Sequence, residues 1–124
     1  MTTPHAVLWI DHEEARLFRF TAEDVERVDL HAATHLHHHL RRDKDRKLSD
    51  PHLYESAAKH LADAERILVV GPGTAKLEFI RHLHAHERAV EAKVVAVESI
   101  DHPTDGQLIA YARQYFKHSD RMTG

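Results

Sequence analysis

The chain has 124 residues, of which 42% are hydrophobic and 30% charged, values typical of one globular domain with a single core. The absence of cysteine excludes a disulfide framework and a cysteine zinc site, and a formal charge of −3 excludes a global basic field that would attract nucleic acid. The first residues lack the basic and apolar regions of a signal peptide and no apolar run is long enough to span a membrane, so the sequence predicts a cytoplasmic location.

Three short segments open the chain: residues 6–11 are almost wholly apolar, residues 15–20 are interrupted by arginines, and residues 25–30 alternate imperfectly between apolar and polar. The polar residues 11–14 and 21–24 separate them and are typical of hairpin turns. The sequence therefore predicts an antiparallel meander of three strands.

Periodicity disappears over residues 31–49, which we interpret as a His-rich and basic loop within a single domain of residues 1–124. Residues 41–47, called here the basic segment, contain five cations: Arg41, Arg42, Lys44, Arg46 and Lys47. Such a cluster attracts phosphate groups whatever the nucleotide sequence. A solvated loop is the alternative, because RNA sites usually add an exposed aromatic side chain and none occurs between Phe20 and Tyr54.

Histidines alternate in the same loop at His35, His37 and His39, so an extended backbone would project three imidazoles to one side. Neutral imidazole is a good ligand for zinc, nickel or copper. A structural or catalytic site also needs fixed geometry and hydrogen-bond partners that orient its ligands. We therefore favour adventitious metal binding over a physiological site.

A helix is predicted to begin at Asp50 and Pro51, because aspartate suits the N-cap and proline suits the first helical position. Its predicted apolar face consists of Leu53, Ala57, Leu61 and Ala64. The continuous apolar run at residues 67–70 then predicts a buried strand.

This strand ends at Gly71, Pro72 and Gly73, and we interpret these residues as a tight turn into a helix over residues 74–87. The turn lacks the spacing of a nucleotide P-loop. The predicted apolar stripe of the helix consists of Leu77, Ile80 and Leu83. His82 and His86 lie one turn apart, a spacing that can chelate a metal but is common on solvated helix faces.

The last two elements are a strand at residues 93–97 and a helix that begins after Thr104. Thr104 and Gln107 have the spacing of a capping box. The predicted buried face of the helix consists of Leu108, Ala112 and Tyr115. Three hairpin-linked strands followed by helix, strand, helix, strand and helix predict an α/β fold with a mixed sheet.

The turn and the helix after it resemble a known element, through Gly71, Pro72, Gly73, Lys76 and Phe79. In the middle domain of archaeal and eukaryotic peptide-chain release factors and Pelota, a central strand ends in a Gly-Pro-Gly type turn followed by lysine and an aromatic helix. The short bacterial translational machinery proteins are similar, and they also carry Trp-Ile-Asp-His and Asp-His-Pro-Thr-Asp-Gly-Gln, found here at residues 9–12 and 101–107. The resemblance spans residues 5–118 and implies a ribonuclease H-like fold.

In the release factors, this domain carries a Gly-Gly-Gln tip that enters the peptidyl transferase centre. Here the four glycines are never adjacent, and residues 31–49 occupy the equivalent position. The resemblance therefore implies a non-enzymatic, translation-associated protein that binds the ribosome or RNA without releasing peptides. The expected contacts are the basic segment, Lys76 and Arg81, and no cofactor is expected.

Two alternatives remain open. The first is a metal-binding protein or a small metal-dependent nuclease, which would use histidines or the carboxylates Asp11, Asp101 and Asp105 if these converge at one place. The second is a homodimer formed through an exposed sheet edge.

Overall fold

The computed structural model describes residues 3–21, 24–32 and 51–123. The predicted loop at 31–49 therefore lies mostly outside the described residues. His31 and Ala32 are the exceptions: His31 ends the third strand and pairs with Glu14, and the backbone N–H of Ala32 donates a 2.8 Å hydrogen bond to the carbonyl oxygen of Glu13.

The predicted antiparallel meander is confirmed. It consists of β1 (Thr3–Ile10), β2 (Glu14–Phe20) and β3 (Val25–His31), with β2 paired to both of the others. Backbone hydrogen bonds from Asp11 to Glu14 and from Thr21 to Asp24, 3.0 and 2.9 Å long, close the two turns.

The rest of the chain alternates helices and strands as predicted, with one additional short helix. These elements are α1 (Pro51–Leu61), β4 (Ala64–Gly71), α2 (Ala75–His86), the short α3 (Arg88–Glu91), β5 (Val94–Ser99) and α4 (Asp105–Thr123). The sheet order is β3-β2-β1-β4-β5, with β4 parallel to both β1 and β5. The mixed α/β fold expected from the sequence is therefore confirmed.

Each face of the sheet is covered by its own helices, because β1 and β4 are apolar on both sides. Helices α1, α2 and α3 pack on one face, around side chains such as Leu8 and Phe79. Helix α4 packs on the other, where Leu108 and Phe116 contact a cluster that contains Trp9. The face of α4 is completed by Phe116, which is 3% exposed, whereas the predicted Tyr115 is only partly buried.

The predicted stripe of α2 is wrong at Leu77, which is 50% exposed. The buried face instead includes Lys76, Phe79 and Leu83. Lys76 is 6% exposed, and its ammonium donates a hydrogen bond to the carbonyl oxygen of Gly73. The aliphatic stem of Lys76 therefore belongs to the buried face of α2, which the apolar pattern does not predict.

Both edge strands carry features that oppose continuous pairing with another sheet. The register of β5 shifts at Val95, where two residues of β5 oppose one step of β4. On β3, Arg27 forms an ion pair with Asp29. Bulges and charges are the usual protection of sheet edges, so a homodimer through either edge stays a prediction without structural support.

Among the helices that the structure describes, none has the length and the apolar character required to cross a bilayer.

Candidate functional site at the carboxyl edge of the sheet

The parallel strands β1, β4 and β5 end at one side of the sheet, called here the carboxyl edge. Ligands of open α/β sheets bind beyond the carboxyl ends of the strands. The residues that follow these ends are Asp11 and His12, then the Gly71 to Gly73 turn, then Asp101 and His102. The sequence motifs that carry the resemblance therefore all lie at the carboxyl edge.

The glycine turn brings β4 unusually close to β1. Gly71 has a φ of 155°, and a Cβ atom there would lie 2.1 Å from the carbonyl oxygen of Ile10. Gly73 has a φ of 62°, in the left-handed region that glycine adopts readily, but a Cβ there would meet no atom within 4 Å. The interpretation as a tight turn is confirmed, and the close approach depends on Gly71.

The two motifs that resemble the translational machinery proteins contact each other through Trp9. The indole nitrogen of Trp9 donates a 2.8 Å hydrogen bond to the carbonyl oxygen of Asp101. The imidazole of His102 lies 5.1 Å from the Trp9 ring, with its Nδ1 3.0 Å from the carboxylate of Asp101. Trp9 therefore fixes the segment between β5 and α4 against the end of β1.

Arg16, on β2, also binds the segment between β5 and α4. Its guanidinium lies 4.8 Å from the centre of the Trp9 ring, and it donates hydrogen bonds to Asp105 (2.7 Å) and to the carbonyl oxygen of Pro103 (3.0 Å). Arg27 binds the second carboxylate oxygen of Asp105 at 2.6 Å. Asp105 therefore has two cationic partners, and its charge is neutralised within the fold.

The predicted capping box is also confirmed in this segment. The backbone N–H of Thr104 donates to the side chain of Gln107 at 2.9 Å, and the N–H of Gln107 donates to the Thr104 hydroxyl at 3.1 Å. These reciprocal bonds satisfy two donors at the start of α4.

Sequence reasoning missed a cluster around Glu78, called here the Glu78 cluster. One carboxylate oxygen of Glu78 lies 3.2 Å from both His12 Nε2 and the Tyr54 hydroxyl, and the other accepts from Thr74 at 3.4 Å. The Glu78 side chain is 21% exposed. This half-buried carboxylate joins the first hairpin, α1 and α2 at the carboxyl edge.

The three carboxylates considered for nuclease chemistry do not converge on a shared metal position. Asp11 accepts hydrogen bonds from the backbone N–H groups of Glu13 (2.8 Å) and Glu14 (2.9 Å), Asp105 is bound by two arginines, and Asp101 is 90% exposed. Within residues 3–21, 24–32 and 51–123, no three metal-ligating side chains come together.

His82 and His86 lie close together on α2, but no third metal-ligating side chain among the described residues joins them. The rings of His82 and His86 are 4.8 Å apart. Burial lowers the pKa of His82, and the neighbouring His86 lowers it further. The Nε2 atom of His82 is buried without a hydrogen-bond partner among the described residues.

Most of the predicted contact and metal residues lie outside the described residues, including the whole basic segment and His35, His37 and His39. The chain on either side of them lies at the carboxyl edge, because Ala32 donates a backbone hydrogen bond to Glu13 and Tyr54 contacts Glu78. Arg81 is exposed on α2. Lys76 is buried, which does not fit its predicted role as a contact.

Comparison with solved structures finds the same fold in longer proteins. Pelota of Archaeoglobus fulgidus matches 89% of this chain with a TM-score of 0.63 and 18% identity, over 30% of its own length. Pelota of Thermoplasma acidophilum matches 89% with a TM-score of 0.61 and 17% identity, over 32% of its length. The archaeal translation termination factor aRF1 matches 97% with a TM-score of 0.57 and 10% identity, over 42% of its length.

These likenesses confirm the fold that the sequence resemblance implied. The chain spans only 30% to 42% of the lengths of these three proteins. No protein-family model and no curated protein sequence matches the chain.

Proposed function

We propose that this chain is a non-enzymatic, translation-associated protein that acts in the cytoplasm by binding the ribosome through ribosomal RNA. The proposal is carried by one observation, the fold shared with Pelota and with a translation termination factor over 89% and 97% of the chain. Because those proteins are longer, the proposal concerns only the part of them that this chain covers.

Peptide release is excluded from the proposal because the Gly-Gly-Gln tip has no counterpart. Within the 124 residues no two glycines are adjacent. We expect the pure protein to release no formyl-methionine from programmed ribosomes. Measurable release would contradict the assignment as a binding protein.

The contact surface that we propose is the basic segment, together with Arg81. The described residues nearest the segment on its two sides, Ala32 and Tyr54, lie at the carboxyl edge, and a cluster of five cations can neutralise phosphates. Arg81 adds an exposed charge on α2. Lys76 is left out, because its ammonium is buried and bonded to Gly73.

Co-sedimentation with 70S ribosomes over a series of salt concentrations tests the proposal. Replacing Arg41, Arg42, Arg46 and Lys47 with glutamine removes four cations. Each true phosphate contact contributes close to one unit to the slope of log affinity against log salt, so we expect the slope to fall by up to about four units.

A second variant in the same segment supplies the control. Replacing Asp43 and Asp45 with asparagine leaves every cation in place and removes two negative charges, so it should strengthen binding. Unchanged affinity and slope in both variants would show that the segment makes no contact. Failure of the parent protein to sediment with ribosomes at low salt would refute the function itself.

A further inference from the structure

At the opposite end of β1 from the carboxyl edge, the structure contains a pocket that the proposed contact surface does not use. It has a volume of about 210 Å³ and lies between the start of β1, the end of β2 and α4. Its lining consists of His5, Phe20, Thr21, Arg113, Phe116 and Lys117. We propose that this pocket, called here the α4 pocket, binds a phosphate group, supplied by an RNA strand when the protein is on the ribosome.

The charge of the lining has one sign. Arg113 and Lys117 are one turn apart on α4 and both side chains are exposed, so they can converge on one ligand. No carboxylate is among the described residues that line the pocket. Two cations on one side of a small cavity attract an anion in a way that the net charge of the whole chain does not predict.

Arg113 differs from the arginines that hold the fold together. Arg16, Arg19 and Arg27 are each paired with a carboxylate. Among the described residues Arg113 has no such partner, and its guanidinium lies 5.6 Å from the centre of the Phe20 ring. Stacking on an aromatic face restrains the guanidinium while leaving its N–H groups free to donate.

The aromatic floor of the pocket favours a phosphate over a nucleobase. Phe20 and Phe116 are 7% and 3% exposed, so neither ring presents a face on which a base can stack. Phe116 is already stacked against His5, with ring centres 4.3 Å apart. The rings instead provide an apolar floor, which strengthens the interaction of the two cations with an anion.

The size of the pocket agrees with this ligand. A volume of about 210 Å³ is several times the roughly 30 Å³ that one water occupies in the liquid, so a tetrahedral oxyanion fits with part of its hydration. Recognition of the phosphate alone would be independent of the nucleotide sequence.

The inference rests on the proposed function only for the source of the phosphate, so the test is made without ribosomes. The protein is titrated with inorganic phosphate and, separately, with a ten-nucleotide oligouridylate, and nuclear magnetic resonance follows the Arg113 side-chain N–H and the backbone amides of His5 and Thr21. We expect both ligands to shift these signals, the oligonucleotide at lower concentration.

Two variants that remove the same charge separate the pocket from a net-charge effect. Arg113→Gln with Lys117→Gln should abolish the shifts, weaken oligonucleotide binding at least fivefold at low salt, and lower the salt slope by up to about 1.4 units for two contacts to a single strand. Lys59→Gln with Arg88→Gln, which changes exposed residues on α1 and α3, should leave the shifts and the slope unchanged.

Thermal melting checks that both double variants are folded. Arg113→Lys keeps the charge but not the planar donor set, so it should retain the salt slope with reduced affinity. Equal losses in the two double variants, or no shift at the pocket with either ligand, would overturn the proposal. Shifts with inorganic phosphate alone would support the phosphate site and refute RNA as its source, whatever the ribosome assay gives.

Discussion

Gly71→Ala is the substitution for which the structure predicts the largest loss of stability from the smallest chemical change. The new methyl group would lie 2.1 Å from the carbonyl oxygen of Ile10, whereas even close C···O contacts in proteins are about 3.3 Å long. The turn and β1 would therefore have to separate by about 1.2 Å. Neither side can yield easily, because β1 pairs with β2 on one side and β4 on the other.

The expected cost has two parts. Overpacking against a rigid neighbour costs about 1–3 kcal/mol, and a residue with a Cβ at a φ of 155° adds about 1–3 kcal/mol of backbone strain. A total of about 2–6 kcal/mol is a large share of the roughly 5–15 kcal/mol that stabilises a typical domain. At about 4 °C per kcal/mol for a chain of this size, the melting temperature should fall by about 8–24 °C.

Two other glycines supply matched controls for the same substitution. Gly73→Ala places a methyl group in open space at a φ of 62°, so only the left-handed backbone costs free energy, about 1–2 kcal/mol. Gly106→Ala lies in α4 with no atom within 4 Å of the new methyl, and should gain up to about 0.5–1 kcal/mol. Urea and thermal unfolding followed by circular dichroism measure all three. If Gly71→Ala unfolds no more easily than Gly73→Ala, the close approach to Ile10 is not what the position requires.

Three further results are expected. In an NMR titration the pKa of the His82 imidazole should lie below the ordinary value of about 6.5, and His86→Gln should raise that pKa. Because folding favours neutral His82, its contribution to stability is present above about pH 6.5 and is lost as the pH falls below that value. A His82 pKa above about 6.5 would contradict this expectation. Arg16→Lys should cost about 1–2 kcal/mol in urea unfolding and change the emission of Trp9, the only tryptophan, whereas unchanged emission would argue against the stacked guanidinium. Glu78→Leu should cost about 1–3 kcal/mol, since it removes the acceptor that His12, Tyr54 and Thr74 share. A neutral effect would mean that the Glu78 cluster does not stabilise the fold.

Most of the fold could be predicted because its signals are local. The first strand of the meander is almost wholly apolar, the second is interrupted by arginines and the third alternates imperfectly, with polar residues between them. Thr104 with Gln107 marks the start of α4 within three residues. The error at Leu77 has a specific cause. Helix α2 buries the stem of Lys76 rather than Leu77, because the Lys76 ammonium finds an acceptor in the carbonyl oxygen of Gly73, one turn back. An apolar stripe alone does not predict this burial.

The candidate site could be predicted only in part, because its contacts join distant parts of the chain. Whether Asp11 and Asp101 converge was left open by the sequence, and in the structure it is His102 that lies 4.0 Å from Asp11. The Glu78 cluster left no such signal, since Glu78 is 66 residues from His12 and 24 from Tyr54. Only the parallel pairing of β1 with β4, and the packing of α1 beside α2, bring these side chains together.

The basic segment and the α4 pocket make separable predictions when their variants are combined. The described residues nearest the segment on its two sides, Ala32 and Tyr54, lie at the carboxyl edge. His5 lies five residues back along β1, about 17 Å from Ile10. Effects of substitutions more than about 10 Å apart without shared partners usually add. The combined variant should therefore lower the salt slope of ribosome binding by the sum of the two separate reductions. Suppose instead that the combined variant reduces the slope no more than the basic-segment variant alone. The segment and the pocket would then contact the same phosphates, and the proposal that they bind separate phosphates would be wrong.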